Sequence, residues 1–181
     1  IDKRNIKIAY LFCWLSMIVS SLIRLVAVME YFWSKTNYKL MQGKWKIGIL
    51  LEAGYQIVPL TEKSEKYVKI TDHIYFYPLL MPYPYSQTMS EEEQSYFCDG
   101  LKLAAPYISI PNQHNCRLII ALRNIQFSSC NIQEEAFTAC AIQWASETFH
   151  FGMPEIQIFF DNQAGRNGIY VFDFSCYSKY G

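Results

Sequence analysis

Neither sign of charge is in excess in this chain. Its 181 residues carry 16 Lys+Arg against 16 Asp+Glu, so no basic surplus exists to neutralise a phosphate backbone, which argues against a dedicated nucleic-acid binder. Histidine is scarce as well. His73, His114 and His150 are spaced by 41 and 36 residues and form no local metal motif. The cysteines Cys13, Cys98, Cys116, Cys130, Cys140 and Cys176 contain no C-x-x-C pair, and no two lie closer than ten residues. That spacing is wrong for a zinc knuckle or ribbon. Cys13 lies in an apolar run and Cys140 falls mid-helix, so free thiols in a reducing compartment are favoured over a disulfide framework. Gly165-Arg-Asn-Gly168 has glycines but neither the G-x-x-x-x-G-K-[ST] pattern nor a following helix, so it is not a phosphate loop. No metal and no cofactor is expected from these residues.

Apolar and aromatic residues are abundant, at 51% and 17% with 14 Tyr and 12 Phe, which excludes a disordered chain. The chain opens on Ile1 rather than Met, which implies a processed or truncated product. Lys3, Arg4 and Lys7 precede sixteen uncharged residues, Ile8 to Ile23; Arg24 interrupts, and Leu25 to Met29 is apolar again. Sixteen helical residues reach about 24 Å, short of a hydrocarbon core of about 30 Å, whereas Ile8–Met29 is long enough if Arg24 snorkels. Leu11, Leu15, Ile18, Leu22, Leu25, Met29 and Phe32 also form a heptad seam opposite Ala9, Ser16, Ser20, Ala27 and Ser34. Both a membrane span and a helix packed in water fit this pattern, and membrane-associated and cytoplasmic locations stay equally open. A cleaved signal peptide fits less well, because the segment remains in the chain.

Residues 1–40 therefore read as an apolar N-terminal helix, roughly 5–34, and residues 41–181 as one α+β domain. Lys44–Leu51 reads as a strand, Ala53-Gly54 as a turn and Tyr55–Val58 as the returning strand. Tyr67–Ile70 and His73–Tyr77 are short strands around Thr71-Asp72. Pro78-Leu-Leu-Met-Pro-Tyr-Pro-Tyr85 cannot be helical. Ser90 with Glu93 is a capping box opening a helix that runs to Pro106, and Asp99-Gly100 reads as turn chemistry. Cys116–Phe127 is the most apolar strand and is expected at the centre of the sheet. Asn131 with Glu134 repeats the capping logic for a helix over Ile132–His150. Ile156–Phe160 and Ile169–Phe174 form a hairpin signalled by Asn167-Gly168. The expected fold is α+β, a mostly antiparallel sheet with two helices packed on one face, preceded by the long apolar helix.

Strand Leu118–Phe127, Ser128 and then Glu135-Ala-Phe137 opening a helix resembles domain IV of the ribosomal translocation GTPases. The likeness covers only that stretch, with no GTPase domain and no basic tip for RNA, and no activity is carried over from it.

Cys130 is the leading chemical candidate, one residue before an expected helix N-terminus where the dipole would lower a thiol pKa. A thiol enzyme would need a base, and His114 or His73 could serve. The bland alternative is a partly buried cysteine beside a cap. Tyr77, Tyr83 and Tyr85 flank or lie within the proline segment and are the candidate binding residues, since loops carry function; otherwise they are aromatics covering a core. The resulting expectation is a non-enzymatic protein-interaction module, as a membrane-anchored subunit or an immunity-type binding protein. Its partner would be another protein, a membrane, or a second copy self-associating through the N-terminal helix. The alternative is a cysteine-dependent hydrolase or transferase using Cys130.

Overall fold

The computed structural model describes residues 31–41, 45–60, 67–78, 87–111, 115–130, 132–152, 155–164 and 168–180. The chain divides into two units, Ile1–Phe32 and Trp33–Gly181, and the fold below is that of the second. The helix expected over residues 5–34 lies outside the described residues up to residue 30.

Five strands form one mixed sheet in the order β1-β2-β5-β4-β3. They are β1 (Phe32–Leu40), β2 (Ile47–Pro59), β3 (Val68–Lys69), β4 (Ile74–Tyr77) and β5 (Cys116–Phe127). Two helices accompany them, α1 (Glu91–Ala104) and α2 (Glu135–Phe149), and β6 (Gln157–Asp161) pairs with β7 (Ile169–Asp173) as a separate hairpin. The class is α+β, as expected, but the sheet is not purely antiparallel. β4 and β5 run parallel, with Ile74 opposite Leu118 and Tyr77 opposite Ala121. The physical reason is α1, because a helical crossover returns the chain to the end of the sheet from which it started.

The strand β1 corrects the expected helix end. Phe32, Trp33 and Ser34 are strand residues, and Phe32, the last member of the heptad seam, is 68% exposed. From Thr36 onward the burial alternates, with Thr36, Tyr38 and Leu40 buried and Asn37 and Lys39 exposed. That period of two belongs to a half-buried strand. Pairing with β2 prevails over any helical tendency here.

Ala53-Gly54 is not a turn either. β2 continues through it, and its pairing with β5 shifts register between Glu52 and Ala53, from Asn124 to Leu122. Arg123 is thus the extra residue of a β-bulge. The bulge explains why the core-facing set on β5 changes parity, from Leu118, Ile120 and Leu122 to Ile125 and Phe127. On the other face Ile119 and Ala121 are also fully buried, so the middle of β5 is dry on both sides, as its unbroken apolar run anticipates.

One core joins sheet and helices. Tyr38, Ile49, Leu51, Phe76, Leu118 and Ile120 share a buried cluster with Phe97, Leu101, Phe137 and Trp144. The capping box forms as its spacing demands. Ser90 Oγ accepts from the Glu93 amide at 3.2 Å, and the Ser90 amide donates to Glu93 Oε2 at 2.7 Å. Asp99-Gly100 is not a turn but lies inside α1, where Gly100 is buried against α2. α2 begins at Glu135 with Glu134 as an N-cap that makes no side-chain cap bond; Asn131 lies outside the described residues. His150 caps its C-terminus in the left-handed region at φ 55.

Burial has a consequence at high pH. It pushes the Cys98 thiol from its ordinary 9.0 up to about 11, and it raises Cys140 further still. Between those values the unfolded chain releases a proton that the folded chain retains, so stability is full below about pH 9 and declines above it. Each such group contributes a slope of about 1.4 kcal/mol per pH unit. Urea midpoints are expected to fall steadily from pH 9 to 11, and Cys98→Ala to remove about one proton's worth of slope. A pH-independent midpoint would contradict the burial of both thiols.

Candidate functional site

The turn between β3 and β4 faces the C-terminal end of α1 across an open cleft of about 300 Å³. Thr71, Asp72 and His73 form one wall with Lys102 opposite, and Ile74, Ala105, Pro106, Ile108 and Ile110 supply the apolar surface. The local sequence dictates this arrangement. Thr71 Oγ1 accepts from the amides of His73 at 3.3 Å and Ile74 at 3.1 Å, a side-chain turn that reverses the chain into β4. Pro106, in the 3₁₀ turn that follows α1, cannot continue the helix. The chain is thereby turned from the end of α1 along the cleft to Ile108 and Ile110.

His73 is held by its backbone. Its carbonyl accepts from the Leu118 amide at 2.7 Å, which ties it to the start of β5. Its Nδ1 is buried and has no hydrogen-bond partner. The charges around it are met. Lys69 bonds Asp72 at 2.7 Å and holds that carboxyl below the usual range, while Lys102 bonds Asp99 at 2.7 Å. These pairs are exposed and contribute little to stability. The unmet group is the histidine nitrogen, and a buried polar atom without a partner calls for an explanation.

The other sequence candidates are dispersed. Cys130 is exposed in the turn after β5, five residues ahead of Glu135, so it does not sit at the start of the helix dipole as expected. His73 adjoins Leu118 at the opposite end of β5, and Phe127 follows Leu118 by nine residues along the strand, about 30 Å. His73 and Cys130 therefore lie toward opposite ends of β5. His150 caps the far end of α2, a further fifteen-residue helix away from its start near Cys130. The structure therefore does not bring Cys130 together with either described histidine. Tyr77 ends β4 and packs edge-on against Tyr67, with centroids 5.6 Å apart. Tyr83, Tyr85 and His114 lie outside the described residues.

A second polar cluster occupies the sheet face away from the helices. Glu52, buried at the bulge, lies 3.4 Å from Arg123 and 3.9 Å from Lys35, and Arg123 stacks over Trp33 at 5.3 Å. This group meets its own charges, which is the usual condition for burying a carboxylate. Among the described residues no three His, Cys, Asp or Glu side chains are placed to hold a metal ion. Among them, too, no helix is long and apolar enough to cross a membrane.

Sequence reasoning singled out His73 but missed Thr71, Asp72 and Lys102 around it. Thr71-Asp72 was legible only as a turn, and Lys102 only as the favourable cation of a last helical turn. Their convergence is a product of the crossover from β4 through α1 to β5. No protein-family model, no curated protein and no solved structure matches the chain.

Proposed function

We propose that the chain is a non-enzymatic protein-interaction module, and that the cleft at His73 seats an apolar side chain of a protein partner. The observation that carries this is the unpartnered His73 Nδ1 in a residue lining a cleft whose apolar wall is Ile74, Ala105, Pro106, Ile108 and Ile110. A volume of about 300 Å³ lies at the foot of the range for small-molecule sites, roughly 300–1,000 Å³. It suits one apolar side chain, with a backbone amide of the same segment to meet His73 Nδ1, better than a cofactor. The thiol reading has no comparable support, since its nucleophile and its described base stand at opposite ends of β5. Membrane anchoring or self-association through Ile8–Met29, as in a membrane-anchored subunit or an immunity-type protein, belongs to the same proposal.

The test is an NMR titration of the full chain with N-acetyl-leucine amide and N-acetyl-alanine amide as probes. The leucine probe is expected to move the signals of His73, Lys102 and Ile110 at millimolar concentration, and the alanine probe to move them less. In the same samples Cys130 should react with iodoacetamide as an ordinary exposed thiol does. Absence of any shift at His73 would overturn the cleft assignment. Selective alkylation of Cys130 below pH 7 would favour the cysteine-dependent hydrolase or transferase instead.

A further inference from the structure

We propose that the outer face of the β6–β7 hairpin docks onto the exposed face of β1 in a second copy of this chain, forming a head-to-tail assembly. The hairpin has two unlike faces. Ile158, Phe160, Tyr170 and Phe172 pack on the core, so the pairs Gln157–Asp173, Phe159–Val171 and Asp161–Ile169 point outward. This outer face is apolar in its middle, and Phe159 is 56% and Ile169 41% exposed. Such an exposed apolar strip is a surface on which another chain can dock.

The strip carries its own address. Asp161 and Asp173 stand at its diagonal corners, four residues apart along the strands, or about 13 Å. Neither belongs to an ion pair within the described residues. Their carboxylates accept from neighbours in the chain, the amides of Gln163 and Ser175 at 2.8 Å each, and Asp173 also from the Ser175 side chain. The occupant must therefore present two cations at that spacing across an extended surface.

β1 presents them. It is an edge strand, and Lys35, Asn37 and Lys39 are exposed on one of its faces. Lys35 and Lys39 are also four residues apart, which again gives about 13 Å. Lys35 lies 3.9 Å from Glu52 with 70% of its side chain exposed, a loose pair that leaves its ammonium free to turn outward. The lysine stems can lie over Phe159, Val171 and Ile169 while their heads reach the two aspartates. Acidic and basic faces are different surfaces of the same molecule, so the contact is heterologous and propagates as a chain or closes as a ring. The strip is smaller than the roughly 800 Å² per partner of a stable interface. The association is accordingly weak, dependent on concentration and sensitive to salt.

Analytical ultracentrifugation of the full chain tests this, with detergent present in every sample if the N-terminal segment requires it. The average mass is expected to rise with concentration, and the apparent Kd to weaken about tenfold between roughly 0.05 and 0.5 M salt. The double variants Asp161→Lys/Asp173→Lys and Lys35→Asp/Lys39→Asp should each lose this association. Mixed together they should recover it, because each restores the opposite charge to the other. A chain that stays monomeric at every concentration overturns the proposal. So does association that persists in both variants or ignores salt, which is the behaviour expected if copies meet through the apolar N-terminal run. The salt titration of the unsubstituted chain reads the interface independently of whether the variants fold.

Discussion

Replacing Trp144 with alanine is expected to remove about 3–5 kcal/mol of stability, a large part of the 5–15 kcal/mol available to an ordinary domain. Trp144 is wholly inaccessible on α2. Its Nε1 donates to Ser34 Oγ on β1 at 2.8 Å, and its ring meets Phe149 edge-on at 6.0 Å. The truncation therefore removes the largest fully buried side chain among the described residues, leaves a cavity between helix and sheet, and unties α2 from the edge strand. Ser34 keeps its second partner, Thr148, at 2.7 Å, so the loss is mainly one of packing. For a domain of this size the Tm should drop by about 10 °C. Trp144→Phe retains most of the apolar contact and forfeits the N–H bond, for a cost nearer 1–2 kcal/mol. Urea titration of the three proteins followed by circular dichroism provides the measurement. A loss below about 1 kcal/mol for alanine would show that α2 does not pack on β1 through this residue.

The second large effect is expected at Gly100, and its sign is the opposite of what helix propensity predicts. In an exposed helix interior Gly→Ala gains about 1 kcal/mol. A Cβ at Gly100 would lie 2.8 Å from Ala141 Cβ and closer still to the Thr138 carbonyl oxygen. That oxygen belongs to the α2 backbone, so the helices must separate. Thr138 also donates its hydroxyl to the Tyr96 carbonyl of α1 at 2.8 Å, a bond that separation would stretch. Gly100→Ala should therefore cost about 1–3 kcal/mol and Gly100→Leu more. Gly48 is the control, because a Cβ there meets nothing within 4 Å; Gly48→Ala on β2 should be neutral or gain about 0.5–1 kcal/mol. If Gly100→Ala stabilises the protein, the close approach of α1 and α2 is wrong.

Legibility followed the range of the interaction that decides each feature. The capping box at Ser90 and Glu93 is a contact across three residues, and it was readable. So was the β6–β7 hairpin, where Gly168 adopts φ 78 at the position that the Asn-Gly signal marks. Cys140 and Trp144 were readable as the buried stripe of α2 from their spacing. Failures came where a local signal had two meanings. Asp99-Gly100 looks like a turn because both residues favour turns, yet Gly100 is needed for a helix crossing whose partner is forty residues away. Ala53-Gly54 looks like a turn for the same reason, and a bulge uses the same freedom without reversing the chain. Phe32 continues a heptad, yet it opens the strand β1.

The candidate site was legible only in part. His73 stood out because histidines are few, and Cys130 because an expected helix N-terminus lay one residue beyond it. Nothing in their spacing revealed that β5 would hold them at opposite ends. That distance is set by which strand lies beside β4, a matter of pairing across more than forty residues.

By itself the sequence determined the alternation of buried and exposed positions at the start of β2, the start of α1, the buried face of α2, the hairpin, and the central place of β5. Each of these depends on side chains within a turn or two of one another, where covalent spacing already brings them together. Only the tertiary structure decided the strand order, the parallel pairing of β4 with β5, the bulge at Arg123, the role of Gly100 and the gathering of Thr71, Asp72, His73 and Lys102 about one cleft. Those outcomes rest on burying one shared apolar surface among segments distant in the chain. That free energy belongs to the packed assembly and is not written in any local stretch of residues.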